Sequence, residues 1–315
     1  MTQAFVFPGQ GSQSVGMGKE IYDAFPVARE VFQEVDDSLG KNLTKIIFEG
    51  PESDLTNTVN AQPALMAVSI ATLRVLLSES GKKIKDFASC VAGHSLGEYT
   101  ALTAAGSLSL AQCATLLGVR GQAMQEAVPD NQGAMAAILG LEVDNVIEIT
   151  KNMDAGQVCA LANDNCPGQL VVSGHREAVA QAMTLATEAG CKRSVLLPVS
   201  GPFHSPLMAP AATKMQEALS TAEISQPVVP VVANVTAEFV DDPDTIRRLL
   251  VEQITSRVRW RESVAFMKSN GGVSHTTEIG AGKVLSGLTK RIDREITASV
   301  INTPADVETF LTERG

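Results

Sequence analysis

Phe87-Ala88-Ser89-Cys90-Val91-Ala92-Gly93-His94-Ser95-Leu96-Gly97-Glu98 runs from an apolar stretch into a glycine-bracketed serine and then toward a helix. A strand from Phe87 to Ala92, a turn, and a helix starting near Glu98 form the setting that a G-x-S-x-G motif requires. The glycines leave room beside a sharp turn, so the Ser95 hydroxyl projects outward. The backbone N–H of Leu96 then points where an oxyanion forms, within the positive potential of a helix start. A tight strand-helix turn with a capping serine would show the same letters. The flanking strand and helix make Ser95 a candidate nucleophile.

Upstream, Ala4 to Phe7 reads as another short strand. Amphipathic stretches lie between the two, including an apolar helix from Pro63 with the proline in its first turn. This alternation predicts an α/β fold with a mostly parallel sheet. The middle of the chain has a different rhythm. Strand Ala134–Leu139, helix Val143–Lys151, strands Val158–Asn163 and Gln169–Ser173, helix Arg176–Ala189 and strand Arg193–Pro198 give the order β-α-β-β-α-β. That is the split βαβ unit of a ferredoxin-like lobe. We therefore expect a large lobe of residues 1–127 and 199–315, with a small lobe, 128–198, inserted into it. Val231–Val235, Thr276–Ile279 and Ser299–Asn302 return strands to the large sheet.

Composition narrows the function classes. Of the 315 residues, 44% are apolar and 19% charged, a globular balance that can bury a stable core. The formal charge of −10 and pI near 5.0 disfavour nucleic acid and anionic membranes as partners. No basic flank and apolar run mark a secretory signal, and no uninterrupted apolar stretch reaches about 18 residues. The cysteines, Cys90, Cys113, Cys159, Cys166 and Cys191, form no CxxC pair and read as thiols of a reducing cytoplasm. The histidines lack HxxxH or HExxH spacing, so no metal is expected, nor any bound cofactor.

A serine nucleophile needs a base. His175, in Ser173-Gly174-His175-Arg176-Glu177, reads as a solvated helix-start residue. His275 opens a late strand, the place of the base in an ordinary α/β-hydrolase. His204 lies in Gly201-Pro202-Phe203-His204-Ser205-Pro206, a loop that two prolines stiffen. The residues alone leave His204 and His275 both open. Phe7-Pro8-Gly9-Gln10-Gly11-Ser12-Gln13 follows the first strand, and its glycines allow the Gln10 N–H close approach to a substrate oxygen. A dinucleotide loop there lacks the third glycine and the acidic residue about 20 positions on. Gly280-Ala281-Gly282-Lys283 fails as a phosphate loop, with Thr277 and Val284 at required Gly and Ser/Thr positions. Finally, Arg120 shares a helical face with Leu110, Cys113, Ala114, Leu117 and Met124. A buried guanidinium needs an anion, either an internal carboxylate or one carried by the substrate.

Together these segments resemble the malonyl-CoA:acyl-carrier-protein transacylases of fatty-acid synthesis over essentially the whole chain. The likeness adds Gln62-Pro63-Ala64-Leu65, Gly118-Val119-Arg120-Gly121, Asn165-Cys166-Pro167-Gly168-Gln169, and Gln253 followed by Val258-Arg259-Trp260. It implies that Ser95 carries a malonyl ester, that His204 is its base, and that the N–H groups of Gln10 and Leu96 hold the oxyanion. It also implies that Gln253 orients His204 through its backbone carbonyl and that Arg120 binds the malonyl carboxylate. Gln62 and Asn165 would line the pocket, and Phe203 resembles the malonyl-selective pattern of polyketide acyltransferases. The implied fold is an α/β-hydrolase-like large lobe with a ferredoxin-like small one. The implied partners are malonyl-CoA and an acyl carrier protein, with coenzyme A a substrate rather than a cofactor. The basic pair Lys192-Arg193 would face the carrier, or else be a solvated turn. A serine hydrolase or thioesterase, and an acyltransferase of a polyketide or malonate-decarboxylase system, are the alternatives.

Overall fold

The computed structural model describes residues 2–129 and 131–314. Strand β1 (Gln3–Phe7) leads through helices α1 (Lys19–Ala24), α2 (Pro26–Leu39), α3 (Leu43–Glu49) and α4 (Glu52–Thr56) to the long α5 (Thr58–Ser80). Then come β2 (Cys90–Gly93), α6 (Leu96–Ala104), α7 (Leu110–Glu126), β3 (Gly133–Leu139) and α8 (Val143–Lys151). Strands β4 (Cys159–Cys166) and β5 (Gln169–His175), helix α9 (Arg176–Glu188) and strand β6 (Arg193–Leu196) complete the middle. The chain continues with α10 (Ala209–Ser220), β7 (Val231–Val232), β8 (Phe239–Val240), α11 (Pro243–Gln253) and α12 (Trp260–Gly271). It ends with β9 (His275–Ile279), α13 (Val284–Ile292), β10 (Thr297–Ile301) and α14 (Pro304–Arg314).

One six-stranded sheet has the order β10-β9-β1-β2-β7-β8, parallel except for β8. Its four inner strands, β9, β1, β2 and β7, are buried throughout, as a parallel sheet between helices requires. Phe5 and Phe7 of β1 enter the larger core with α2, α5 and α7, while Ala4 and Val6 face Trp260, Val264 and Leu285 on the other side. The second, four-stranded sheet is antiparallel with order β4-β5-β3-β6, the ferredoxin-like arrangement. Ala136 and Ile138 pack under α8 and α9, whereas Met135 and Val171 face the larger core. The antiparallel sheet meets the segment between α11 and α12 where Asn163 bridges Val258, beside a bidentate Arg261–Asp164 pair.

Three expectations change. The long helix starts at Thr58, not Pro63, because the Asn57 side chain accepts the Val59 N–H at 3.1 Å and caps it earlier. Pro63 therefore lies inside the helix, and that turn lacks one backbone bond. By apolar length α5 could cross a membrane, but 83% of that stretch is buried in the protein. Strand β2 begins at Cys90 rather than Phe87, since Ile84–Asp86 forms a 3₁₀ turn and Phe87 packs on Phe5 and Phe310. The expected strand Val231–Val235 pairs only through Val232, after which Asn234 turns toward Ser95.

Candidate active site

Adjacent parallel strands β1 and β2 end side by side, with Phe7 opposite Gly93. The Gln10 loop and the Ser95 turn therefore emerge together at one edge of the sheet. Ser95 has φ 54° and ψ −110°, a strained backbone for a residue with a Cβ. The residues two positions to either side must be glycines: a Cβ on Gly93 would lie 1.8 Å from the Gly97 carbonyl oxygen, and one on Gly97 2.4 Å from that of Phe7. Asn234 holds the turn, accepting the Ser95 N–H at 2.7 Å and donating through Nδ2 to the Gly93 carbonyl at 2.7 Å. Leu96 is the first residue of α6, where N–H groups have no partner within the helix. Leu96 and Gln10 both line the adjoining cavity, and Thr58 Oγ1 ties the Gln10 side chain down with a 2.9 Å bond.

His204 reaches this turn. Its Nε2 lies 2.7 Å from Ser95 Oγ and its Nδ1 2.9 Å from the Gln253 carbonyl oxygen. A carbonyl can only accept, so Nδ1 carries the proton and Nε2 presents its lone pair to the hydroxyl. Burial, reinforced by the Arg120 charge, pushes the His204 imidazole down to about 3, so it rests as the neutral base. The residue itself has φ 58°, and Ser205 Oγ ties the loop to the Pro202 carbonyl at 2.6 Å. His275 stands at the opposite edge of the sheet, its ring nitrogens 2.6 Å from Thr297 Oγ1 and 2.8 Å from Ser299 Oγ. His175 Nδ1 accepts the Val158 N–H. Of the histidines left open by the residues, the fold brings His204 to Ser95.

Arg120 is 1% exposed, yet among the described residues it forms no ion pair. Its Nη1 donates to Gln62 Oε1 at 2.7 Å; its Nη2 donates to Gln253 Oε1 at 2.8 Å and Ser95 Oγ at 3.0 Å. Nε is buried without an acceptor, and the guanidinium sits 5.6 Å from the Tyr99 ring centre. Gly121 allows α7 this close to α5, for a Cβ there would meet the Thr58 carbonyl oxygen at 2.7 Å. Among the described residues, no carboxylate therefore pairs with Arg120 at ion-pair distance. A cavity of about 290 Å³ opens beside Ser95, Arg120, Gln62 and His204, with Met124, Met135 and Phe203 as apolar walls.

Asn165 is a correction. It does not wall the cavity; its Oδ1 lies 2.9 Å from His94 Nε2, and Asn163, two residues earlier on β4, takes the wall position. An irregularity between Asp164 and Cys166 breaks the strand alternation at Asn165, and His94, which it meets, lines the cavity in its place. Lys192 and Arg193 are exposed where β6 begins, and the chain following that strand, Leu197 to Val199, walls the cavity. Sequence reasoning missed Asn234 and the part played by Glu98. Glu98 is 2% exposed, and its Oε2 accepts the Asn234 N–H at 3.0 Å and Gln253 Nε2 at 2.7 Å. A buried-strand Asn at the carboxyl edge of the sheet, and a Glu just past the serine, were the available signals.

The model of the Acyl transferase domain family matches residues 4–286. Over 306 residues, 97% of this chain and 95% of the relative, the sequence is 47% identical to a malonyl CoA-acyl carrier protein transacylase of Bacillus subtilis. A crystal structure of an acyl-carrier-protein S-malonyltransferase from Bartonella henselae is 50% identical, with TM-score 0.97 and full coverage of both chains. A malonyl-transacylase solved in complex with a type II PKS acyl-carrier protein is 43% identical, with TM-score 0.95, covering 99% of this chain and 100% of that one.

Proposed function

The chain belongs to the acyl transferase domain family, among its malonyl-CoA–acyl carrier protein transacylases, and from that premise we propose that Ser95 carries the malonyl group between the two thiols. The protein is an acyltransferase that moves malonyl from malonyl-CoA to acyl carrier protein in fatty-acid synthesis. The observation that carries the assignment of roles is the convergence on Ser95 Oγ of His204 Nε2 at 2.7 Å and Arg120 Nη2 at 3.0 Å.

In the first half-reaction Ser95 Oγ attacks the thioester carbonyl as its proton passes to His204 Nε2. The N–H groups of Leu96 and Gln10 receive the oxyanion. Collapse breaks the C–S bond, and the leaving CoA sulfur takes the proton from Nε2. In the second, the phosphopantetheine thiol of the carrier gives its proton to His204 and attacks the malonyl-serine ester, and Oγ leaves with that proton. The Gln253 carbonyl holds Nδ1–H throughout; a thioester is activated enough that a neutral acceptor suffices. Arg120 grips the distal carboxylate, with Gln62 holding the guanidinium and Phe203 closing the apolar wall. The reaction draws on no cofactor, coenzyme A being substrate and product. Five free cysteines without a disulfide support a cytoplasmic setting. The order β4-β5-β3-β6 supports a small lobe of 128–198 set into a large one of 1–127 and 199–315. The exposed Lys192-Arg193 pair, at the start of the strand that leads to the cavity wall, is the proposed carrier contact. The neighbour bound to a polyketide carrier favours such a carrier as a second acceptor class.

Malonyl-CoA alone should add one malonyl group, at Ser95, and holo-carrier should discharge it; intact mass and peptide mapping read both steps. An adduct elsewhere, or one that persists in Ser95→Ala, overturns the assignment. Release to water at the same rate without carrier indicates a hydrolase.

A further inference from the structure

Arg120 and Glu98 are both buried, yet they do not touch as an ion pair. The Gln253 side-chain amide stands between them, its Oε1 accepting from Arg120 Nη2 at 2.8 Å and its Nε2 donating to Glu98 Oε2 at 2.7 Å. The same Gln253 amide nitrogen also reaches the Ser95 carbonyl at 3.1 Å, so the chain Arg120–Gln253–Glu98 passes directly beneath the nucleophile. Both bonds to Glu98 fall on Oε2, one from Gln253 and one from the Asn234 backbone, so a proton on Oε1 would leave them intact.

We propose that Glu98 is the built-in counter-charge of Arg120, and that it exchanges this role with the substrate carboxylate: when malonyl docks on Arg120, Glu98 takes up a proton from solvent. This rests on Arg120 binding the malonyl carboxylate. The carboxylate arrives ionised, Glu98 goes from carboxylate to carboxylic acid, and the buried site keeps one positive and one negative group before and after. Without that exchange, two buried anions would face a single buried cation, which low-dielectric surroundings penalise. The resting state is already close to the exchange point, since burial pushes the Glu98 carboxyl up to about 7 against the pull of Asn234, Gln253 and Arg120.

The other titratable groups around Glu98 do not compete. Arg120 of α7 is the cation itself. Burial holds the Tyr99 phenol and the Cys113 thiol protonated, the latter pushed up to about 12, and His204 is pushed down to about 3. From the segment after β7 and from α11, the groups that meet Glu98 are the uncharged Asn234 and Gln253. Glu98 is therefore a specificity-determining positioning residue: it acts through Gln253 and Arg120 and never meets the reacting atoms.

The exchange couples protons to malonyl but not to acetyl. Ser95→Ala, which holds the thioester without reacting, is titrated at pH 7 with malonyl-CoA and with acetyl-CoA by calorimetry in buffers of different ionisation heat. Net proton uptake should appear for malonyl-CoA in excess of that for acetyl-CoA, whose CoA moiety supplies the control. In the active enzyme, KM for malonyl-CoA should rise about fivefold between pH 6 and pH 8, a typical coupling factor. In Glu98→Gln that rise should flatten while malonyl loading persists. Equal proton uptake for the two thioesters overturns the proposal, as does an undiminished pH slope in a folded, active Glu98→Gln. If that variant does not fold, the calorimetry on Ser95→Ala still decides. If malonyl-CoA leaves no adduct on the unaltered enzyme, the acyl-serine assignment fails instead, a separate outcome.

Discussion

The two edges of the parallel sheet each bury a histidine whose basicity is depressed, and they use it in opposite ways. At the carboxyl edge, His204 is pushed down to about 3; at the amino edge, His275 to about 4. Both have each ring nitrogen engaged, and both stand beside a serine hydroxyl: Ser95 at 2.7 Å and Ser299 at 2.8 Å. The difference lies in the backbone and in what else the hydroxyl meets. Ser95 and His204 both have positive φ, and Ser95 Oγ also meets Arg120 at the wall of a cavity. Ser299 and His275 belong to regular strands β10 and β9, and Ser299 Oγ meets Thr277 Oγ1 at 3.1 Å within the same ladder. A histidine–serine contact is thus a poor marker of chemistry by itself. Strain held at a cavity, with a cation waiting there, distinguishes the working edge.

Exchanging the histidines for alanine is the harshest way to break this comparison. His204→Ala should lower both half-reactions by about 10²–10⁴-fold, the usual worth of a general base, a loss far beyond any that a lowered melting temperature explains. His275→Ala should do the reverse, leaving acyl transfer nearly intact and lowering the melting temperature, because it removes a buried ring and its two bonds to β10. Stopped-flow loading with malonyl-CoA and a thermal melt on each variant suffice. Loss of loading in His275→Ala with retention in His204→Ala would move the active site to the wrong edge.

The cation sharpens the contrast next. Arg120→Ala should cost about 2–5 kcal/mol in kcat/KM for malonyl-CoA, the range for truncating a buried charge pair. Acetyl-CoA has no carboxylate to satisfy, so its loading should be unchanged or improved, and Arg120→Lys should recover only part of the malonyl rate. Parallel loss for both thioesters with a lowered melting temperature would make Arg120 a structural cation. A somewhat smaller effect is expected from Asn234→Ala, which strips partners from the Ser95 N–H and the Gly93 carbonyl. Stability should fall by about 2–4 kcal/mol, since two buried backbone groups are left unsatisfied. Urea unfolding measures this, and an unchanged midpoint would mean that the φ 54° turn holds itself.

Much of this was legible in the sequence because it rests on local pattern. The β-α-β-β-α-β run announced the second sheet, since helix and strand periods are written in neighbouring residues. The phase of α7 placed Arg120 on the buried face for the same reason. The serine turn was readable because only glycines fit on either side of it. What stayed hidden depends on closure between distant segments. Glu98 and Asn234 are 136 positions apart, and Asn165 meets His94 across 71. His275 opens β9 of the parallel sheet while His204 lies in the loop after β6 of the antiparallel one, and nothing local says which of them closure of the chain brings to Ser95. The Pro63 helix began early because a side-chain cap at Asn57 outweighed the positional preference of proline.

The smallest effect tests the quiet edge through acid stability. The His275 imidazole has a folded value of about 4 against an ordinary 6.5, with burial the main cause and the Arg314 charge the lesser one. Between those values the unfolded chain binds the proton and the folded protein does not. Stability from this group is therefore complete above about pH 6.5 and drains away as pH falls toward 4. His204 adds a loss of the same sign, extending to about pH 3. Glu98 and Glu278 act oppositely: burial raises both, so they favour the folded state as acid protonates them. Net acid sensitivity should thus be milder than two buried histidines alone would give. His275→Gln removes one of the two without touching the cavity, and it keeps groups able to meet Thr297 and Ser299. Its unfolding free energy, read by urea titration, should fall less than that of the parent between pH 7.5 and pH 4.5, by on the order of 1 kcal/mol, the worth of a partly screened shift. Malonyl loading at pH 7.5 should stay at the parent rate. An unaltered pH slope would mean that His275 is solvated enough to titrate normally, and the ladder it shares with Thr297 and Ser299 would then be held by its hydroxyls.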